Sequence, residues 1–238
     1  MKLLVTAADS PVGDALRARL AAGHDVAAAA TSEPLAADAA TDALVTDREV
    51  IVHLAAAHLD ASLGDDEMVD YATRRTYNLL RAAGDRGVSR VVYVSSLRLL
   101  SAYPDHFAVT ENWQPDPDPT DAPQLATHLG EMVVKEFARD GLVDGIALRV
   151  GFPVQLDSSE SAAAAGDGDR NGGRSAAIGI DHLADVVDRA VRAPLRSWHV
   201  IHAQSPLPEP RYLMRDAASL LGYPDGQLPT EAPILPGS

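Results

Sequence analysis

The sequence predicts an α/β chain built around a doubly wound parallel sheet. Two observations carry this. Apolar runs of strand length alternate with amphipathic runs of helix length along most of the 238 residues. The strongest strand runs, "EVIVHLAAA" (49–57) and "VSRVVYVSS" (88–96), are apolar nearly throughout, as strands covered on both faces require.

The elements follow in order. "KLLVTAA" (2–8) is a buried strand, and "GDALRARLAAGH" (13–24) is a helix with Ala15, Leu16, Leu20 and Ala21 at helical spacing. Gly23 is expected as its C-cap. "HDVAAAAT" (24–31) is a second strand, and 33–47 holds at most a short helix before strand 49–57. "DDEMVDYATRRTYNLLRAAGDRG" (65–87) is a long helix with Met68, Tyr71, Ala72, Leu79, Leu80 and Ala83 on its apolar face. Strand 88–96 leads to a proline-rich loop (115–123) and a helix (124–141) whose apolar side holds Leu125, Leu129, Val133 and Phe137. "VDGIALRVGFPV" (143–154) is a strand, and the small, polar, glycine-rich stretch 157–177 reads as a mobile loop. A helix over 180–193 starts with Asp181 at or near its N-cap. Strand 197–204 and helix 211–224, closed by Gly222, complete the pattern. The division expected is a core over 1–154 and a smaller C-terminal, substrate-side region over 155–238 interleaved with it.

Composition limits the function. A net charge of −14 argues against nucleic acid as a partner, because phosphate backbones need a basic surface. The acidity has two readings, a salt-adapted surface or a codon bias toward Asp, Ala and Arg. With no cysteine, disulfides and thiolate metal sites are excluded, and no metal site is expected. No apolar run reaches the length of a membrane span or a signal peptide, so the expected location is cytoplasmic.

In such a sheet the ligand lies at the carboxyl ends of the strands. The turns there carry a resemblance. "VTAADSPVG" stands where a dinucleotide loop would have T-G-x-x-G-x-x-G, followed in order by "VIVHLAA", "GVSRVVYVSS", "ALRVGFP", "IGIDHLADVVDRAV" and "RYLMRDAASLLGYP". Together these resemble the extended short-chain dehydrogenase/reductases, the NAD-dependent epimerase/dehydratase family. The resemblance implies a Rossmann-like fold with a small C-terminal subdomain, and NAD or NADP as cofactor. It places the cofactor against Ala7, Ala8, Asp9, Ser10, Pro11, Val12 and Gly13, against Leu54, Ala55 and Ala56, and against Phe152 and Pro153. It also implies a homodimer formed by helices 66–84 and 124–140.

The family's chemistry uses a serine, a tyrosine and a lysine. Ser96 takes the serine position, with Ser95 beside it, but Pro123 stands at the tyrosine position and Thr127 at the lysine position. Proline has no acid/base group, and a threonine hydroxyl carries no charge to depress a neighbour's pKa. His128 is the nearest titratable side chain. In the loop, Ala7 and Ser10 replace the first two glycines, only Gly13 remains, and Asp9 adds a negative charge. A charge ~5 Å from a phosphate costs ~1 kcal/mol in a water-like medium. The connection 32–48 is short and has no arginine; its acid nearest the second strand is Glu33. The family's Asn-x-x-Gly in the next helix is also missing, with Ala72 and Arg75 at those positions.

Three readings follow. The first is a non-catalytic or atypical relative that binds a nucleotide or small metabolite as a regulator or sensor. The second is an NAD(P)-dependent oxidoreductase or sugar-nucleotide epimerase/dehydratase that uses Ser96 with a non-standard acid/base. The third is an unrelated catalyst that reuses the crevice with Ser96, Thr127, His128 and Glu111.

Overall fold

The computed structural model describes residues 1–59, 63–154, 176–206 and 210–224. The strands are β1 (Lys2–Val5), β2 (Asp25–Ala28), β3 (Val50–Leu54), β4 (Arg90–Ser96), β5 (Asp144–Val150), β6 (Phe152–Val154), β7 (Ala177–Gly179) and β8 (Trp198–Ala203). One six-stranded sheet runs in the order β2-β1-β3-β4-β5-β8. All its pairings are parallel. β3 and β4 are buried along their whole length, as their apolar sequences predict. β6 and β7 form a small parallel pair just past the carboxyl end of β5. Strand order reverses between β1 and β3, and such a switch point opens the crevice where ligands bind. The fold is the predicted Rossmann-like one. Of the expected loop 157–177, all but its last two residues lie outside the described residues.

The helices are α1 (Pro11–Leu20), α2 (Ala39–Val45), α3 (Asp65–Asp70), α4 (Thr76–Arg86), α5 (Ala122–Arg139), α6 (Ile180–Arg192) and α7 (Arg215–Leu221). A π-helical turn, Tyr71–Arg75, joins α3 to α4, so the predicted helix over 65–87 is continuous but locally widened. Alternation along the strands sends Leu3, Val5, Val52, Val94 and Leu148 to one face, where they pack with residues of α1 and α6. Leu4, Ile51, Val91 and Tyr93 go to the other face, with Val45, Leu79, Leu80 and Val134 of the opposite helices. The short connection between β2 and β3 forms α2 and no strand, so β2 is the sheet edge. Leu35 closes that edge: it is buried, and Asn78 Nδ2 donates to its carbonyl at 3.0 Å.

Two local expectations are corrected and one is made definite. α1 ends at Leu20 with Ala21 as its C-cap in a right-handed conformation, so Gly23 is not the cap. Here the helix closes through amides that reach back to Arg17 and Arg19, and no left-handed residue is needed. α6 is capped by Gly179; Asp181 lies in its first turn and pairs with Arg19 of α1 at 2.5 Å. In α5 the buried face is Gln124, Ala126, Thr127, Gly130, Glu131, Val134 and Ala138. The stripe Leu125, Leu129, Val133 and Phe137 is only half-buried. Gly130 is the steric reason, because a Cβ there would lie 2.0 Å from the Tyr93 hydroxyl oxygen.

The turn from β1 into α1 keeps its tight shape without its first glycine. Ala7 adopts a left-handed conformation with φ 47°. Gly13 packs against that turn, and a Cβ on it would stand 2.0 Å from the Ala7 carbonyl oxygen. Gly13→Ala therefore forces main chain apart and is expected to cost about 3 kcal/mol or more in urea unfolding. Ala7→Gly exchanges left-handed strain for added chain entropy and should move stability by less than about 1 kcal/mol.

Candidate functional site

The crevice starts at the first turn of α1. Ser10 is the N-cap, and its Oγ accepts from the Gly13 amide at 3.1 Å. The Ser10 carbonyl accepts from Asp14 at 2.8 Å. Pro11 has no N–H. Among the described residues, Val12 thus keeps the free amide of this first turn, and the anion-binding capacity of the helix N-terminus is reduced accordingly. Ala8 donates to Ala29 at 3.0 Å, which ties the loop to the exit of β2.

Asp9 reaches toward that exit too. Its Oδ1 accepts from the Thr31 amide at 2.6 Å and the Thr31 hydroxyl at 2.7 Å. Burial raises the Asp9 pKa, but the Thr31 hydrogen bonds outweigh it and hold the carboxyl below its usual range. Arg75, at the position of the missing glycine, reaches the same corner, and its Nη1 donates to the Thr31 carbonyl at 3.2 Å.

Under the loop is a closed ring of hydrogen bonds that sequence reasoning missed. Thr6 Oγ1 lies 2.7 Å from His53 Nδ1 and 3.1 Å from the Tyr71 hydroxyl, and it accepts from the Leu54 amide at 3.2 Å. His53 Nε2 lies 2.8 Å from Thr76 Oγ1, which donates to the Tyr71 carbonyl at 2.9 Å. One proton assignment satisfies every member. Tyr71 donates to Thr6, Thr6 donates to His53 Nδ1, and His53 Nε2–H donates to Thr76. This ring joins β1, β3 and the π turn at the switch point. Burial lowers the His53 pKa to about 3, so the ring is neutral.

Of the remaining cofactor candidates, Leu54, Ala55 and Ala56 are buried where β3 leaves the sheet. Phe152 is 63% exposed and Pro153 half-buried on β6, past the end of β5.

The residues at the family's catalytic positions lie around the end of β4, with Ser95 and Ser96 on opposite faces of the strand. Ser95 points to the α5 side and donates to Glu131 Oε1 at 2.5 Å. Glu131 is held by Arg149 of β5 through two hydrogen bonds of 2.9 and 2.8 Å, in a fully buried pair. Ser96 Oγ accepts from the Arg98 amide at 3.2 Å and caps the 3₁₀ turn Leu97–Leu100. Its hydroxyl proton has no partner among the described residues. Thr127 is fully buried; its hydroxyl donates to the Pro123 carbonyl at 2.7 Å and accepts from the Ala57 amide at 3.0 Å. Pro123 lies in the first turn of α5, where a missing N–H costs nothing. His128 is half-buried, and its Nδ1 is buried without a partner among the described residues. Burial lowers its pKa, Glu131 opposes this, and Arg149 and Lys135 add to it. His58 was also missed by sequence reasoning; it is buried, and its Nε2 donates to the Ser95 carbonyl at 2.9 Å.

The model of the NAD dependent epimerase/dehydratase family matches residues 3–153. The chain belongs to this family. No curated protein matches it by sequence. Among the solved structures that share the fold are the following three. A glucuronic acid dehydrogenase from Chromohalobacter salexigens has 22% identity and a TM-score of 0.71 over 93% of this chain and 83% of that one. A short-chain dehydrogenase/reductase superfamily protein from Agrobacterium tumefaciens with bound NAD has 18% identity and a TM-score of 0.73 over 94% and 92%. A UDP-N-acetylglucosamine 4-epimerase from Bacillus cereus has 16% identity and a TM-score of 0.71 over 96% and 94%.

This family member fits a dinucleotide unevenly. On the adenosine side it offers a tight turn, one free helix amide and the Asp9 carboxylate at the exit of β2. On the nicotinamide side no cation is available from Thr127, and Lys135 is exposed further along α5. Among the described residues no group of three or more His, Asp or Glu side chains could hold a metal, and no helix is long and apolar enough to cross a membrane.

Buried neutral histidines predict that acid destabilises the fold. Burial lowers His53 from 6.5 to about 3. Burial, and then Arg149, lowers His202 from 6.5 to about 3. Between those values the unfolded chain binds more protons than the folded one, so stability falls as pH falls. Each histidine contributes a slope of at most about 1.4 kcal/mol per pH unit. The thermal midpoint should hold near neutral pH and drop on acidification below about pH 6.5. His202→Leu should flatten that drop, and an unchanged profile in this variant would contradict the assignment.

Proposed function

We propose that this family member binds a nucleotide of the NAD type, or a related small metabolite, as a regulator or sensor, without the tyrosine–lysine redox chemistry its family uses. The observation that carries this reading is the state of Thr127. It is fully buried with its hydroxyl committed to Pro123 and Ala57, so the lysine position presents no charge and no free donor to a ligand. Pro123, in the same turn, supplies no proton. The bound NAD named for a structural relative supports NAD as the first ligand to test.

The family match and the dehydrogenases and epimerases among the structural relatives favour a second reading. This is an NAD(P)-dependent oxidoreductase or sugar-nucleotide epimerase/dehydratase. Ser96, whose hydroxyl proton has no partner among the described residues, would bind the substrate oxygen, and His128 would serve as acid/base. The third reading draws nothing from the comparisons, and in it the Glu111 carboxylate would be the one that accepts from the Asp216 amide at the start of α7.

Partnership with a second copy is part of the same proposal. The half-exposed stripe of α5 continues through Met132, 42% exposed, and Tyr77 of α4, 51% exposed, packs edge-on against Phe137. These side chains lie within 66–84 and 124–140, and their cover in a homodimer would be apolar. Sedimentation should give twice the 25.1 kDa chain mass, and Met132→Asp should shift it toward one.

Turnover separates the two functional readings. With NAD or NADP and a panel of uronic acids and UDP-sugars, the proposal expects saturable cofactor binding and no hydride transfer or epimerisation above background. Turnover abolished by both Ser96→Ala and His128→Gln would establish the second reading.

A further inference from the structure

A serine and a histidine meet away from the positions described so far. Ser205 follows β8, and His182 lies in the first turn of α6. Ser205 Oγ is 3.0 Å from His182 Nδ1. The same oxygen accepts from the Gly179 amide at 3.0 Å. Among the described residues, Nδ1 is the partner left for the hydroxyl proton. Ser205 therefore donates to an unprotonated Nδ1, and the imidazole carries its own proton on Nε2. A hydroxyl within hydrogen-bond reach of an imidazole acceptor is the arrangement of a nucleophile with its base.

The surroundings suit reaction at this oxygen. Ser205 is held in place: its amide donates to the Ala177 carbonyl at 2.9 Å, and its Oγ is fixed from two sides. A nucleophile held this way has little freedom left to lose on reaction. The Gly179 N–H favours the alkoxide that develops as the proton leaves. His182 is exposed, so the pair is approached from the histidine side although Ser205 itself is buried. Phe152 of β6 is 63% exposed and pairs with Ala177, the residue to which the Ser205 amide is bound. It supplies apolar surface near the pair for a short acyl chain.

The geometry points to a Ser205–His182 dyad that transfers the acyl group of a short-chain ester to water. The dyad lies at the carboxyl end of β8, two strands from Ser96, about 10 Å away by strand spacing, and is independent of the proposed nucleotide binding. Ser205 Oγ bonds to the ester carbonyl carbon as its proton passes to His182 Nδ1. The bond from that carbon to the alcohol oxygen breaks, and Nδ1 returns the proton to the departing alcohol. Water then attacks the acyl-serine, its proton goes to Nδ1 and on to Ser205, and the acid is released. Gly179 brings no side chain to cap α6, so the amides of that first turn are the donors nearest the oxyanion.

The test uses the full chain with a fluorophosphonate, which serine Oγ attacks at phosphorus with loss of fluoride, and with p-nitrophenyl acetate. The wild type, Ser205→Ala and His182→Gln are compared. Peptide mapping by mass spectrometry should place the phosphonate on Ser205. His182→Gln keeps an acceptor for the serine but no base, so it should hold the wild-type thermal midpoint. It should slow both labelling and acetate release at least about tenfold. Ser205→Ala should abolish both; if it fails to fold, the mapped label and His182→Gln decide. A wild type without label on Ser205, or a labelling rate that His182→Gln leaves unchanged, overturns the inference and reduces the pair to a brace between β8 and α6.

Discussion

The ion pair between Glu131 of α5 and Arg149 of β5 sets how α5 lies on the sheet. Both side chains are fully buried, and Ser95 supplies a further hydrogen bond to the carboxylate. Removing either partner would strand a charge in the core, at a cost of about 3–5 kcal/mol. With Glu131 pinned inward, the rest of the helix follows. Gly130 comes down on the Tyr93 hydroxyl, and Thr127 points at the exit of β3 where its hydroxyl meets the Ala57 amide. The apolar stripe through Leu129 and Phe137 is turned aside and left half-exposed. One buried pair thereby closes the lysine position and supplies the surface proposed for a second copy.

The opposite side of the crevice holds its shape by other means. Ala7 takes the left-handed turn, Ser10 caps the helix, and Gly13 keeps helix and turn in contact. The buried ring of Thr6, His53, Tyr71 and Thr76 braces this turn from below. What has changed is the supply of donors, because Pro11 lacks an amide hydrogen and Gly13 spends its own on Ser10. Stereochemistry preserves the loop while fewer of its amides stay free to meet an anion. The adenosine corner, where Asp9 meets Thr31, remains the best-equipped part of the site.

The fold was legible because its strands are short apolar runs in a fixed order, and burial on both faces leaves them little freedom of composition. The face of α5 was not. Gln124, Thr127 and Glu131 read as solvent-facing by type, and their partners Asp118, Ala57 and Arg149 lie on other segments. A periodicity argument sees only the helix itself and assigned Leu125 and Leu129 to the core. The ring at the switch point was hidden for the same reason, since its members come from β1, β3 and the helical segment after them. Pro123 and Thr127 were singled out from sequence as departures from the family's tyrosine and lysine. Their structural consequence, a committed hydroxyl and a capped helix start, needed coordinates, as did the direction in which Asp9 points.

The central claim is that the adenosine half of the crevice still binds while the nicotinamide half has lost its hold. Comparing ADP-ribose with NAD by calorimetry measures this directly. If the nicotinamide contributes nothing, the two ligands should bind within about threefold of one another. NAD binding at least about tenfold more tightly than ADP-ribose would contradict the account, since the missing lysine would then have a working replacement.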